Sequence, residues 1–467
     1  MADIKLSRRA ALKAAFAGAA ASQLTACGSG KEATTKPTDG AVGWSNWSGN
    51  QTCSPKQKVR PRSEADLMKF FKESEGTVRA VGASHSFSGL VPTDENLLSL
   101  ARFRGIKNIN TETKEVTIGG GARLSSFGDE LWDAGLGMIN MPDINTQSLA
   151  GSIATSTHGT GKDMGSLSSF VTGMKIVTPQ GEVVECRADK NPEIFNAART
   201  NLGALGAATE ITLQMRDRYY LKERVEMVGL EEGLERLEEM RDKHRHFEAY
   251  GLPHADYMLY ITLDEVSEEE AKAFPEKTDN GDAYEAFRTL SKVVDYLPFM
   301  KEFIINMGAR SVEPEEKVDR WHDTFGNVRD IRFNEMEYTV PAEDGATCFR
   351  EVLETIKKKD IDVIFPIEYR YIKQDDIWLS MFSEQDGAAI SCHNFHDKPY
   401  KDYFAEMETI FKKYKGRPHW GKLHSRTGDE FAELYPHWEA FHKVRKELDP
   451  EGRMINKHLQ RVFGKWA

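Results

Sequence analysis

Cysteine is scarce in this chain, with five among 467 residues, at 27, 53, 186, 348 and 392. No C-x-x-C pair and no Cys/His ligand spacing occurs, which argues against a zinc site and leaves metal out of the expected chemistry. A disulfide is chemically allowed outside the cytoplasm, but spacing alone does not pair these cysteines. Beyond the N-terminus no segment is apolar enough to cross a membrane. Basic clusters are lacking too. The formal net charge is -11, which argues against nucleic acid as a partner and against charge-driven adhesion to anionic lipid. No Gly-Lys-Ser/Thr phosphate loop, internal repeat or low-complexity tract is present. Hydrophobic residues make up 40%, ordinary for a globular protein, and the length fits two or three domains.

The N-terminus carries an address. Ser7-Arg8-Arg9-Ala10-Ala11-Leu12-Lys13 precedes a small, weakly apolar run from Ala14 to Ala26. That run is too short to span a bilayer stably and reads as a signal peptide. The paired arginines resemble a twin-arginine signal, with Ala11 where that motif usually has Phe. Leu24-Thr25-Ala26-Cys27 resembles a bacterial lipobox, whose cysteine is acylated and becomes the new N-terminus. The expectation is an exported periplasmic or cell-surface lipoprotein, membrane-bound by its lipid anchor only. Losing residues 1–26 removes Lys5, Arg8, Arg9, Lys13 and Asp3, taking the charge from -11 to about -14. Residues 28–45, rich in Gly, Ser, Thr and Lys, form a flexible tether.

A coarse pass predicts helices over Glu64 to Lys72 (N-cap Ser63), Leu124 to Ala134 and Glu231 to Arg245. Strands are predicted over Asn96 to Leu100, Glu115 to Ile118, Asp256 to Ile261 and Val363 to Ile367. This succession of short elements is α+β, without the regular repeat of a doubly wound sheet.

Small residues concentrate at three places. Thr77, Val78 and Val81 lead into Gly82-Ala83-Ser84-His85-Ser86-Phe87-Ser88-Gly89. Such a loop lets backbone N–H groups converge on a phosphate, with an imidazole within reach of whatever the phosphate carries. Ala83 departs from the Rossmann glycine pattern. Taken alone, the segment also fits a strand-to-helix turn with a solvated histidine. The second cluster is Ser148-Leu149-Ala150-Gly151-Ser152-Ile153-Ala154-Thr155-Ser156-Thr157-His158-Gly159-Thr160-Gly161. It would pack poorly in a core, and suits close backbone approach to a flat or charged ligand, with the hydroxyls of Ser152, Thr155 and Thr160 as donors. The third, Asn201 to Leu213, turns through glycines into a strand.

In this order the three segments resemble the flavin-binding segments of the vanillyl-alcohol-oxidase superfamily. The resemblance implies a two-subdomain FAD-binding domain of the PCMH type at 46–218, with a covalent FAD link through His85. The implied cofactor contacts are Gly82, Ala83, Ser84, His85, Ser86, Phe87, Ser148, Gly151, Ser152, Thr155, His158, Gly159, Thr160, Gly161, Gly206 and Ile211. Pro142 stands where family members tend to control oxygen access.

An α+β cap, or substrate, domain is expected at 219–420. In Glu368-Tyr369-Arg370, residues two apart on a strand share a face, so a carboxylate and a guanidinium project together. An isolated pair of this kind is usually a surface ion pair worth under about 1 kcal/mol. Pro418-His419-Trp420-Gly421-Lys422 places a histidine and a lysine about a tight loop. Both motifs resemble the sugar-lactone and alditol oxidase branch of the superfamily, where they meet at the substrate side of the flavin. The chain end near Asn456 resembles the same branch, which implies that 421–467 returns to the FAD domain. The resemblance implies Glu368, Arg370 and Lys422 as catalytic residues, Ser148, Glu368 and Arg370 as substrate contacts, and His419 as a flavin contact. Lys422 in neutral form, or solvent, would be the base. The expected partner is a polyol or sugar lactone, with oxygen or a membrane electron acceptor taking the electrons. A periplasmic dehydrogenase and a non-catalytic flavin- or solute-binding lipoprotein are the alternatives.

Overall fold

The computed structural model describes residues 43–275, 283–326 and 331–467. The signal segment, the paired arginines and Cys27 lie outside the described residues, as does all but the end of the tether.

The N-terminal half is built on a three-stranded and a five-stranded sheet, besides two two-stranded ladders among the described residues. Gln57–Val59, Asn96–Ser99 and Val78–Val81 form a parallel three-stranded sheet with Asn96–Ser99 central. Val183–Arg187, Val171–Val177, Ala207–Gln214, Glu115–Gly119 and Ile106–Asn110 form an antiparallel five-stranded one. Helix Glu64–Glu73 starts where the Ser63 hydroxyl accepts the Asp66 N–H at 3.1 Å. It buries Leu67 and Phe71.

The second half is built on an eight-stranded antiparallel sheet. Its order is Glu315–Arg320, Tyr220–Gly229, Tyr257–Val266, His246–Gly251, Ile367–Ile372, Gly387–Phe395, Phe333–Pro341 and Arg417–Pro418. Period-2 alternation divides its central strands. Met336, Tyr338, Tyr369, Tyr371, Ile390 and Cys392 share a core with residues of helices Ala342–Lys358 and Lys401–Lys413. The opposite face carries Glu335, Glu337, Glu368, Arg370 and His393, which look into a cleft against the N-terminal half.

Local expectations fail at identifiable places. The helix expected over Leu124 to Ala134 is a 3₁₀ turn, Leu124–Ser126, followed by helix Gly128–Asp133; the break at Phe127 accompanies burial of its ring. Glu231 to Arg245 is two helices, Leu230–Glu235 and Leu237–Lys243, parted at Arg236. The strand expected at Val363 to Ile367 begins only at Ile367; Pro366, with no N–H, cannot extend the ladder. The small-residue run does enter a core, since helix Leu149–Ala154 buries Leu149 and Ile153 completely.

The C-terminal segment ties back to the first half. Arg453 donates to the carbonyls of Phe71 at 2.6 Å and Ser74 at 2.7 Å, and its own carbonyl accepts the Val78 N–H at 2.8 Å. The Asn456 amide donates to the carbonyls of Gly89 and Pro92, both at 2.9 Å, while its oxygen caps the Leu459 N–H at 3.0 Å. Asn456→Ala removes a cap worth about 1 kcal/mol and leaves buried carbonyls short of a donor at about 1–3 kcal/mol. Urea unfolding of the variant should show a loss of about 2–4 kcal/mol.

Candidate active site

The loop after Val78–Val81 is shaped by close approach. Ser84 sits at φ 63°, in the left-handed region. A Cβ on Gly82 would lie 1.9 Å from the Ser148 hydroxyl, so glycine is what lets this loop and the second cluster meet. The Asn46 amide donates to the Ser86 carbonyl at 2.9 Å, and the Trp47 N–H to the Ser84 carbonyl at 2.8 Å. The Phe87 N–H donates to the Gly421 carbonyl at 2.7 Å, which locks the loop to the His419–Lys422 turn. His85 stacks on Trp47 with ring centroids 5.6 Å apart, and its Nε2 lies 2.9 Å from the Thr146 hydroxyl. Burial, with Arg123 and Lys422 nearby, pulls its pKa down to about 4, so the ring is neutral at neutral pH.

The cleft wall fits a flat ligand with a pyrophosphate. Gly120, Gly121, Gly203, Gly206, Ala207 and Ala208 expose backbone along it, and Gly82, Ala83, Ser148 and Gly151 continue it. A Cβ on Gly120 would lie 2.1 Å from the Ala208 carbonyl, and Gly206 holds φ 127°, which larger residues rarely adopt. Pro142 also lines the cleft.

Four expected cofactor contacts lie elsewhere. Ile211 is fully buried in the core, paired with Ile118 and Met174 in the five-stranded sheet. Gly159 backs onto the Met141 carbonyl, 2.3 Å from where a Cβ would stand. The Thr160 hydroxyl donates to the Phe247 carbonyl, and the Gly161 N–H to the Tyr371 carbonyl at 2.8 Å. This stretch joins the two halves rather than lining the cleft. Ser152 and Thr155 do line it, but their hydroxyls donate back to the carbonyls of Ser148 at 3.0 Å and Gly151 at 3.1 Å. They are not the free donors expected of them.

Opposite this wall, register builds a polar row. Tyr250 pairs with Glu368, Glu368 with Ser391, and Ser391 with Glu337, across four adjacent strands. The Tyr250 hydroxyl donates to Glu368 at 2.8 Å, and the Ser391 hydroxyl to Glu337 at 2.7 Å. Arg370 reaches both Glu368 and Glu337 at 3.1 Å. The His158 Nδ1 lies 2.8 Å from the Gly159 carbonyl and its Nε2 2.8 Å from the Glu337 carboxylate. Lys422 pairs with Glu335, which also lies 3.4 Å from His393.

These partners reverse what burial would do. Burial alone raises the Glu335 carboxyl, but Lys422 and His393 hold it at about 2. Burial likewise opposes ionisation of Glu337, and His158, His419 and Arg370 keep it well below the usual carboxylate range. His419 is driven down to about 3, chiefly by burial, and its Nδ1 accepts the Gly421 N–H at 3.0 Å. Glu335, Glu368 and His393 bring ligand-type atoms within 4.8 Å of one another. Lys422 and Arg370 already supply cations to those carboxylates.

Sequence reasoning found Glu368, Arg370, Lys422 and His419 but missed Glu335, Glu337, His393 and Tyr250. The signal was faint. Asn334-Glu335-Met336-Glu337-Tyr338 alternates with period 2, but both faces of that strand are buried.

Comparison with known proteins matches two regions of the chain. Residues 211–462 match the family described as D-arabinono-1,4-lactone oxidase, and residues 55–187 match an FAD-binding domain. A protein of Mycobacterium tuberculosis named L-gulono-1,4-lactone dehydrogenase is 34% identical over 90% of this chain and 99% of its own length. The mouse protein named L-gulonolactone oxidase is 27% identical over 90% of this chain and 98% of its own. A solved cholesterol oxidase from B. sterolicum shares the fold, with TM-score 0.72 at 18% identity over 90% of this chain and 96% of that one.

Lys422→Met should release Glu335 upward from about 2. A depressed carboxyl stabilises the fold above its unfolded value of 4.5, and that contribution fades as pH falls towards about 2. The variant's acid-unfolding midpoint should therefore move to higher pH, read by tryptophan fluorescence. Glu337→Gln leaves His158 and Arg370 without their shared carboxylate and should cost about 3–5 kcal/mol in urea unfolding.

Proposed function

This chain belongs to the D-arabinono-1,4-lactone oxidase family, and from that premise we propose that it oxidises a hydroxyl-bearing carbon of a sugar 1,4-lactone with FAD. The observation that carries this reading is the row of buried carboxylates and cations facing the small-residue wall. When bound, FAD supplies a two-electron acceptor for hydride. The chain's own task is to orient the sugar and manage a proton.

Arg370 and Lys422 donate hydrogen bonds to substrate oxygens and stabilise negative charge developing there. Glu368, held by Tyr250 and Arg370, accepts from a sugar hydroxyl. A hydroxyl placed among Glu335, Glu368 and His393 meets proton acceptors, with Lys422 and Arg370 paired to the two carboxylates beside it. The ion pair between Lys422 and Glu335 suits Lys422 to charge stabilisation rather than to the base role expected of it. His419 lies in the cleft with a neutral ring, and Ser148 offers a hydroxyl from the opposite wall.

The FAD is covalent through His85. A neutral imidazole inside the loop that meets the flavin wall supports this, because only an unprotonated nitrogen can bond to carbon. Oxygen is the acceptor on the first reading, with Pro142 in the cleft wall as its support. The 34% identical relative named a dehydrogenase supports the second, in which a membrane acceptor takes the electrons. The protein is exported by its paired arginines and anchored through acylated Cys27.

Acid precipitation should leave the flavin on native protein, and His85→Ala should release it. Flavin freed by acid from the native protein contradicts the covalent link but not the cofactor. A sugar 1,4-lactone should bleach the flavin anaerobically and yield stoichiometric hydrogen peroxide in air. Fast bleaching with very slow reoxidation by oxygen would establish the second acceptor reading. Cys27→Ser should lose incorporation of labelled palmitate, and replacing Arg8 and Arg9 by Lys should strand precursor in the cytoplasm. Equal palmitate labelling of Cys27→Ser and the native chain would overturn the anchor.

A further inference from the structure

Helices Ala283–Tyr296 and Lys301–Ala309 form a hairpin, joined by a 3₁₀ turn at Pro298–Met300. One side is packed: Phe287, Leu290, Val294, Ile304 and Ile305 share a core with Phe395. The other is bare. Tyr296 is 84% exposed, Phe299 83% and Phe303 61%, with Val293 and Met307 beside them in sequence. Among the described residues only Val183 is another large hydrophobic so exposed. An exposed apolar cluster of this kind marks a contact surface.

We infer that the tip of this hairpin inserts into the interfacial region of a lipid bilayer. Side chains this exposed stand proud of the surface, a shape that enters between headgroups rather than forming the flat, self-complementary face of a dimer. Two Phe and one Tyr at a helix turn are interfacial chemistry. Lys301 is paired with Asp360 at 2.6 Å and Asp295 with Lys398, while Lys292 and Glu302 are exposed charges of opposite sign, so the patch has no net charge of one sign to recruit anionic lipid.

Position agrees. Trp47, just after the tether, contacts Phe333 at 5.1 Å; Phe333 contacts Phe365 at 5.5 Å, and Phe365 contacts Phe287 at 5.4 Å. Tyr296 lies nine residues along the helix from Phe287, about 14 Å. Residues 28–42, extended, reach about 50 Å, so an anchor on Cys27 and the hairpin can engage one membrane. That last point rests on the anchor proposed above; the exposed rings do not. Phe333 and Phe365 also line the cleft, so docking brings the cleft close to the lipid.

The test is vesicle flotation of full chains in the Cys27→Ser background, which removes the anchor. Probes are vesicles of phosphatidylethanolamine and phosphatidylglycerol, at low and high salt. Cys27→Ser should float with the vesicles at both salt concentrations. Adding Phe299→Asp and Phe303→Asp should lower the bound fraction about tenfold or more, with flavin absorbance and unfolding midpoint retained. Phe299→Ser with Phe303→Ser, which adds no charge, should show the same loss. Equal flotation with and without the ring substitutions overturns the proposal, as does no flotation of Cys27→Ser. Concentration-dependent dimers abolished by the substitutions, without flotation, assign the patch to a second copy and overturn it too. None of these outcomes depends on whether Cys27 is acylated in the cell.

Discussion

Glu337 is the constraint around which the site is arranged. Its carboxylate is buried, and burying an unpaired carboxylate costs several kcal/mol. His158 comes from the N-terminal half, Ser391 from the adjacent strand and Arg370 from the strand beyond it, and all three bond to it. Meeting that one charge therefore fixes how the halves sit. It orients Arg370, which then holds Glu368, which Tyr250 holds from the next strand. The carboxylates of Glu335, Glu337 and Glu368 are paired with Lys422, Arg370 and His158. Pairing of this kind holds the donors in place, and Arg370 Nε, buried without a partner, is left to meet a bound hydroxyl as charge develops there.

The opposing wall works by subtraction. Glycines and alanines at 82, 83, 120, 121, 150, 151, 203 and 206–208 leave backbone along the cleft where side chains would otherwise fill it. Leu149, Ile153 and Ile211 point the other way and fill the core beneath. The same segments thus make both the cofactor surface and the support that keeps it flat. Gly159–Gly161 take the chain from that wall to the eight-stranded sheet, where the Thr160 and Gly161 bonds join the halves.

The legible parts of the sequence were those in which local spacing carries the signal. Small residues around one imidazole marked a loop that lines the cleft, and the two-residue step from Glu368 to Arg370 put both on one face. The Ser63 cap marked its helix. What escaped depended on distant partners. Glu335 and Glu337 lie in a strand buried on both faces, where alternation of polar and apolar residues gives no outward face to read. Tyr250 and His393 become site residues only through cross-strand register, which the sequence does not print. Ile211 was misassigned because a motif fixes which strand is near the cofactor but not which way each side chain points. Helices expected to be continuous at 124–134 and 231–245 broke at Phe127, whose ring is buried, and at Arg236, whose guanidinium bonds Glu232 and Glu239 on either side of the break.

Anaerobic stopped-flow reduction of the bound flavin by a sugar 1,4-lactone, wild type against Arg370→Leu, tests most directly whether the buried network does the chemistry. Losing one such donor should slow reduction by about 10²–10³, with the visible spectrum of the bound flavin nearly unchanged. A wild-type rate in Arg370→Leu would contradict the account and return Glu368 and Arg370 to the role of a structural ion pair.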